Sequence, residues 1–189
     1  MLITLIVLGV VVVLLIWGVA IYNRLVRLRA LVKEGFSGIT VQLRRRADLI
    51  PNLVATVQGY ATHERETLTQ VIEHRGDAVA AKGVAATAQA DTAFSAMLGR
   101  LMAVAEAYPD LKADDNFRQL QDELSEIEDN LQSARRYYNA TVRDLNTRVQ
   151  SFPDVIFARP LGFTEEEFYT DTDASIQNAP VVSFDAAKA

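Results

Sequence analysis

The side chains in this sequence that could bind a metal, activate a nucleophile or move a proton are few, and their spacing narrows them further. The two histidines, His63 and His74, stand 11 residues apart. The string HERE at 63–66 begins like a zinc-protease helix but lacks the second histidine four residues after the first. Cysteine is absent, which removes a disulfide framework, a thiol nucleophile and a thiolate metal site. There is no glycine-rich phosphate loop and no G-x-S-x-G turn. The acid run Glu165–Glu167 reads as a solvated face. The pattern therefore points away from an enzyme, a metal site and a bound cofactor.

A different polar constellation is more informative. RRRADLIPNLV, Arg44 to Val54, drives three arginines into an apolar stripe that has Pro51 at its middle. Proline has no amide hydrogen and clashes with the carbonyl four residues back, so it usually ends or kinks a helix. Yet Ile50, Leu53 and Val57 resume the stripe in phase. The expectation is a kinked but continuous helix, in which the freed Ala47 carbonyl takes a donor from Asn52 or the neighbouring arginines.

The elements that would hold these residues come next. Leu2 to Ile21 is an uncharged apolar run of 20 residues, long enough to cross a hydrocarbon core about 30 Å thick as a helix. It has no basic stretch before it and exceeds a signal-peptide core, which favours an uncleaved single-pass anchor. Trp17 and Tyr22 suit an aromatic interface belt. Residues 22–46 then carry seven basic groups against the single acid Glu34, and the rest of the chain is predominantly acidic. The positive-inside rule places the body in the cytoplasm and Met1 outside. Arg24, Arg27, Arg29 and Lys33 are candidates for contact with lipid headgroups, each worth about 1 kcal/mol near an anionic surface. The net charge of −5 gives no support to nucleic-acid binding.

Beyond the anchor, Leu25, Leu28, Val32, Phe36, Ile39, Leu43, Ile50, Leu53, Val57 and Tyr60 recur at helical spacing. One helix over 22–60 would be about 58 Å long. Thr62 is the candidate cap of a second helix with stripe Leu68, Val71, Ile72, Arg75 and Val79. An alanine-rich stretch with a turn near Gly83 leads to a third, with Phe94, Leu98, Leu101, Ala105 and Tyr108 on one face. After the break YPDLKADD, 108–115, a fourth helix carries Phe117, Leu120, Leu124, Ile127, Leu131, Ala134, Tyr138, Leu145 and Phe152 at coiled-coil spacing, and Pro153 ends it. The fold class expected is all-α: an N-terminal transmembrane helix, then an antiparallel bundle of about four helices with long first and last members. The divisions are an anchor at 1–22, a bundle at 23–152 and a tail at 153–189, apolar in its first half, with a final dozen residues expected to be poorly ordered.

Pairing residue 22 with 151 in such a bundle sets Arg45 level with Glu128 and Arg135 level with Gly38. The expectation is a polar layer of Arg45, Asp48, Asn52, Glu128 and Arg135 inside two apolar stripes. Buried ionic groups of this kind set register better than they add stability. The returning tail brings Ile156, Phe157, Leu161, Phe163 and Phe168 beside the basic collar, to cover the first helix, touch lipid or join a neighbouring subunit.

Seven strings together resemble the LemA family: YNRLVRLR (22–29), VQLRRRADLIPNLV (41–54), GYATHERETL (59–68), EAYPDLKADDNF (106–117), ARRYYNATVRDLN (134–146), FPDVIFA (152–158) and GFTEEEF (162–168). They occur in family order across about 22–168. Two positions depart from the family's habit: Ala47, where a polar residue or histidine is frequent, and Phe36, where tryptophan is common. The resemblance implies a bacterial helical protein anchored in the inner (cytoplasmic) membrane, with its body in the cytoplasm and no enzymatic activity. One branch of the family is associated with internal membrane compartments. The function expected is a self-associating scaffold that organises or shapes the membrane, with membrane lipids and copies of itself as partners. The alternative is a tethered adaptor or sensor for another membrane protein, such as a protease or signalling enzyme.

Overall fold

A computed structural model describes residues 1–61 and 63–170. Among these the chain is all-helical, with α1 (Leu2–Tyr60), α2 (Arg65–Ala80), α3 (Val84–Glu106), α4 (Pro109–Ala113), α5 (Asp115–Gln150) and α6 (Asp154–Ala158). Six segments stand where four helices were expected, because the 108–115 break and the turn after Pro153 each hold one short helix. Thr62, the expected cap of α2, lies outside the described residues, as do the final dozen residues of the tail.

The apolar run and the amphipathic stripe form one uninterrupted helix of 59 residues. Its large N-terminal side chains are all exposed, from Leu2 at 74% to Ile16 at 66%. It is the one helix among the described residues that is long and apolar enough to cross a membrane. Burial begins at Ile21 and Leu25 and then follows the helical period to Val57. The exposed apolar segment and the first core helix are thus a single rod.

The dominant packing is α1 against α5, in opposite directions. Tyr60 at the top of α1 donates a hydrogen bond to Asp114 beside the start of α5, at 3.0 Å. Arg46 meets Glu128 at 3.1 Å, Gly35 lies against Tyr138, and Trp17 meets Phe157 beyond the end of α5. This is the register that pairing 22 with 151 implies. Gly35 permits the close approach: a Cβ there would lie 3.1 Å from the Tyr138 Cα.

At the distal end, α2 and α3 form a hairpin against α1. Gly83 caps α3 with φ +84, a left-handed conformation that glycine adopts without steric cost. The α2 stripe is narrower than expected: Leu68 and Val71 are buried, whereas Ile72 and Val79 are about half exposed. Asp114 caps α5 by accepting from the Phe117 amide at 3.0 Å. That bond first, and the one from Tyr60 second, hold the Asp114 carboxyl below the usual carboxylate pKa.

The interior divides into two apolar clusters. The one nearer the apolar segment joins Ile21, Leu25, Ile39 and Leu43 to Leu131, Tyr138, Leu145 and Phe163. The distal one joins Ile50, Leu53 and Val57 to Phe94, Leu101, Leu111 and Phe117. Each fully buried large aliphatic or aromatic side chain stabilises the fold by about 1.5–3 kcal/mol. Along α1 the two clusters meet at Arg46 and Ala47.

Candidate functional site

Arg46 lies on the core stripe of α1, three residues after Leu43 and four before Ile50, and is only 2% exposed. Asp91 lies on the core stripe of α3, three residues before Phe94, and is 1% exposed. The two form an ion pair. Arg46 also donates to Glu128 of α5 and to the Ser95 hydroxyl, each at 3.1 Å, and its guanidinium lies 5.0 Å from the centre of the Phe94 ring. Arg135 of α5 closes the network with a second ion pair to Asp91. Tyr169, far along the tail, donates its hydroxyl to Asp91 at 2.6 Å.

The layer comprises two cations, Arg46 and Arg135, and two carboxylates, Asp91 and Glu128. Their formal charges balance; Glu128 is 42% exposed, and for the buried members ion pairing offsets part of the desolvation cost. Burial pulls the Arg135 pKa down, but the charge of Asp91 and its hydrogen bond outweigh that, and the net shift is upward. Tyr169 is held well above its ordinary value, by burial first and by the Asp91 charge second. It stays a protonated donor. With both Asp91 oxygens committed to three fixed donors, the geometry suits a lock between helices and does not suit proton transfer.

One turn further along α1, Pro51 leaves the Ala47 carbonyl without its helical donor. Arg75 of α2 supplies one: its Nε donates to that carbonyl at 2.6 Å. Neither Asn52 nor an arginine of the RRR string does so. The helix continues through Pro51 to Tyr60.

The third feature is the path of the tail. After α6, residues 159–162 turn the chain, and residues 163–170 return along α5 as a non-helical strap held by side chains reading its backbone. Asn146 donates to the Glu166 carbonyl and accepts from the Glu166 amide, both at 2.9 Å. Asn139, two turns away, does the same to Tyr169 at 2.9 and 2.8 Å. Between them Tyr138 donates to the Glu167 carbonyl at 2.7 Å. Its pKa is pushed up to about 12, by burial first and then by the charges of Glu166 and Glu167. At the membrane-proximal end Arg29 donates to the Gly162 carbonyl at 2.6 Å and stacks on Phe163, 4.3 Å from the ring centre.

These positions refine the sequence-based assignments residue by residue. Glu128 and Arg135 lie in the polar layer. Arg45 does not: it is exposed, one residue off the core face, and Arg46 takes its place. Asp48 is exposed at 3.9 Å from Arg75, and Asn52 is exposed; neither reaches the layer. Arg24, Arg27 and Lys33 are exposed beside the anchor, whereas Arg29 is committed to the strap. Among the tail residues Phe163 is buried against Tyr22, with ring centres 5.8 Å apart. Phe157 packs on Trp17 at 6.0 Å. Ile156, Leu161 and Phe168 remain 57%, 47% and 44% exposed.

Asp91, Tyr169, Asn139 and Asn146 are not among the residues the sequence singles out, and Arg75 is expected only as part of the α2 stripe. The signal for Asp91 was present, as an acid three residues before Phe94 on the same stripe. Among the described residues no group of three or more histidine, aspartate or glutamate side chains could hold a metal ion. His63 is exposed and His74 lies 3.9 Å from Asp77.

Comparison with known proteins gives a consistent set of relatives. The model of the LemA family matches residues 35–184. Magnetosome protein MamQ 2 of Paramagnetospirillum magneticum is 26% identical over 188 residues, covering 86% of this chain and 68% of that protein. Magnetosome protein MamQ of Magnetospirillum gryphiswaldense is 25% identical with the same coverage. Protein LemA of Metamycoplasma hominis is 27% identical over 135 residues, covering 69% of this chain and 60% of its own length.

Proposed function

The chain belongs to the LemA family, and from that premise we propose that it is a non-enzymatic, membrane-anchored scaffold. It self-associates and organises or shapes the bacterial cytoplasmic membrane, with Met1 outside and the body, an antiparallel helical bundle, in the cytoplasm. The observation that carries this reading is the continuity of α1. One helix runs from a fully exposed apolar segment into the buried core, without a hinge loop between membrane and body. A rod clamped by α5 along its cytoplasmic half transmits the orientation of the body directly to the bilayer. Lateral contacts between bodies would then set the angle between neighbouring anchors, which is how a protein array imposes curvature. The ionic layer and the Arg75 contact stiffen that lever. The magnetosome relatives lend support, since their names tie them to an assembled cellular structure.

Sizing the full-length protein in mild detergent, followed by imaging of the particle in lipid, tests the proposal. Discrete particles larger than a dimer with bent surrounding membrane support it. A monomer or dimer lying in flat membrane overturns it in favour of the tethered adaptor, whose acidic body would bind another membrane protein.

A further inference from the structure

The corner between α5 and α6 leaves three large apolar side chains close together in sequence exposed. Phe152 is 80% exposed, and Ile156 and Leu161 are 57% and 47% exposed. The corner sits beside the anchor. The Phe157 ring packs edge-on against Trp17, and its edge would lie 3.6 Å from a Cβ on Gly18. Both are in the final turn of the apolar run, and the first charged side chain after Met1 is Arg24. Gly18 is thus about one turn, about 6 Å, short of Tyr22 on the membrane side.

From this placement we propose that the α5–α6 corner is a second membrane contact, with Phe152, Ile156 and Leu161 inserted into the bilayer interface between the levels of Trp17 and Tyr22. It rests on the anchor reading of α1. The corner's charges are disposed for such an environment. Asp154, its one acid, is turned inward, buried and 3.5 Å from Arg148. Arg159, its one cation, is exposed and has a stem long enough to snorkel to the headgroups. On the cytoplasmic side, Arg24, Arg143 and Arg148 line a single cavity with Leu28, Asp144, Thr147 and Ser151, three cations against one acid. That cationic rim is suited to lipid phosphates. Ala158 and Phe163, both buried, tie the corner to the core, so it cannot lift off the membrane while the fold is intact. A monotopic contact of this kind fixes the tilt of α1 and wedges apolar volume into one leaflet only.

The chain has a single tryptophan, which makes a direct test available. Full-length protein is reconstituted in vesicles of phosphatidylcholine and phosphatidylglycerol, with or without bromine on the acyl chains of the phosphatidylcholine. Wild type reports on Trp17. The variants Trp17→Phe/Phe152→Trp and Trp17→Phe/Ile156→Trp report on the corner. The expected result is blue-shifted emission from both corner probes, with a loss on bromination comparable to that of Trp17. Quenching of Trp17 alone, with red-shifted corner probes open to aqueous iodide, overturns the second contact and leaves the anchor standing. Blue-shifted corner probes that bromine does not quench assign the patch to a neighbouring copy and also overturn it. Absence of quenching at all three positions overturns both readings.

Discussion

Arg75 Nε donates to the Ala47 carbonyl across 2.6 Å, so the acceptor that Pro51 orphans on α1 is satisfied by a different helix. The contact explains how proline is tolerated inside the long helix and why α2 docks where it does. Replacing Arg75 with methionine keeps the apolar stem but leaves the carbonyl without a donor, at a cost of about 1–3 kcal/mol. Pro51→Ala restores an amide at that position, and Pro51 is exposed, so the change opens no cavity. The penalty of Arg75→Met is therefore expected to vanish, or nearly so, in the Pro51→Ala background. Urea unfolding of the four proteins in one detergent measures this coupling. Equal penalties in both backgrounds would show that Arg75 acts through something other than this carbonyl.

The Asp91 network calls for an asymmetric response. Asp91→Ala leaves Arg46 and Arg135 buried without their shared partner, which costs about 3–5 kcal/mol. Arg46→Met with Asp91→Leu removes both members of the most buried pair and returns apolar groups between the two clusters. It is expected to recover part of that loss, since Arg135 and the Tyr169 hydroxyl still lack Asp91. If Asp91→Ala were neutral by thermal unfolding, the layer would not be a lock.

Two glycines on α1 predict opposite signs. At Gly35 a Cβ would come within 3.1 Å of the Tyr138 backbone, and Gly35→Ala is expected to destabilise by about 1–3 kcal/mol because the helices must part. At Gly38 the nearest atom, the Ala134 Cβ, is at 4.0 Å. Gly38→Ala is expected to stabilise by up to about 1 kcal/mol through helix propensity. Parallel melting curves decide both, and destabilisation at both positions would contradict the observed separation.

Alkaline pH probes the strap through Tyr138. A tyrosine whose folded pKa is raised is held protonated by the fold. Its contribution is complete below the ordinary value of 10.0 and is lost as pH rises towards about 12. Stability should fall across that window, and Tyr138→Phe should flatten the slope. The variant loses the hydrogen bond to Glu167 at neutral pH, at about 1 kcal/mol. An unchanged slope would show that Tyr138 is not the group responsible.

What could be read beforehand divides along physical lines. The helical stripes, the apolar N-terminal run and the α1–α5 register follow from periodicity and length, which are local. Pairing by chain count sets Arg45 level with Glu128, where Arg46 makes the contact, because such pairing is accurate only to about a turn. The stripe Ile39, Leu43, Arg46, Ile50 carries the finer answer, since among the three arginines only Arg46 keeps the spacing of three and four. Asp91 was obscured by its alanine-rich surroundings, which weaken the contrast between faces. Arg75 stood in the expected α2 stripe, but nothing local pairs it with a carbonyl 28 residues earlier. Tyr169 and the two asparagines were out of reach for a stronger reason. A non-helical strap has no period of its own, and its position is set by side chains recognising backbone atoms, which any residue provides.

That last point makes the asparagines the decisive residues for the strap. Each exchanges two hydrogen bonds with the backbone, Asn146 with Glu166 and Asn139 with Tyr169, and the spacing of the pair along α5 sets the strap's register. Asn139→Ala with Asn146→Ala removes all four bonds while leaving the apolar stripe of α5 untouched. Helical content should therefore be unchanged. The strap should open more often, exposing Glu165, Glu166 and Glu167 to a glutamate-specific protease. At about 0.5–1.5 kcal/mol per bond, and with partial compensation from water, cleavage there should quicken about ten- to a hundredfold. Tyr169 would leave Asp91 in the same event, so the open strap also weakens the ionic layer. Adding Tyr169→Phe to the double variant should then cost less stability than it does alone. Unaltered cleavage with intact helicity would mean that Phe163 and Tyr169 hold the strap by burial, and that the asparagines only follow it.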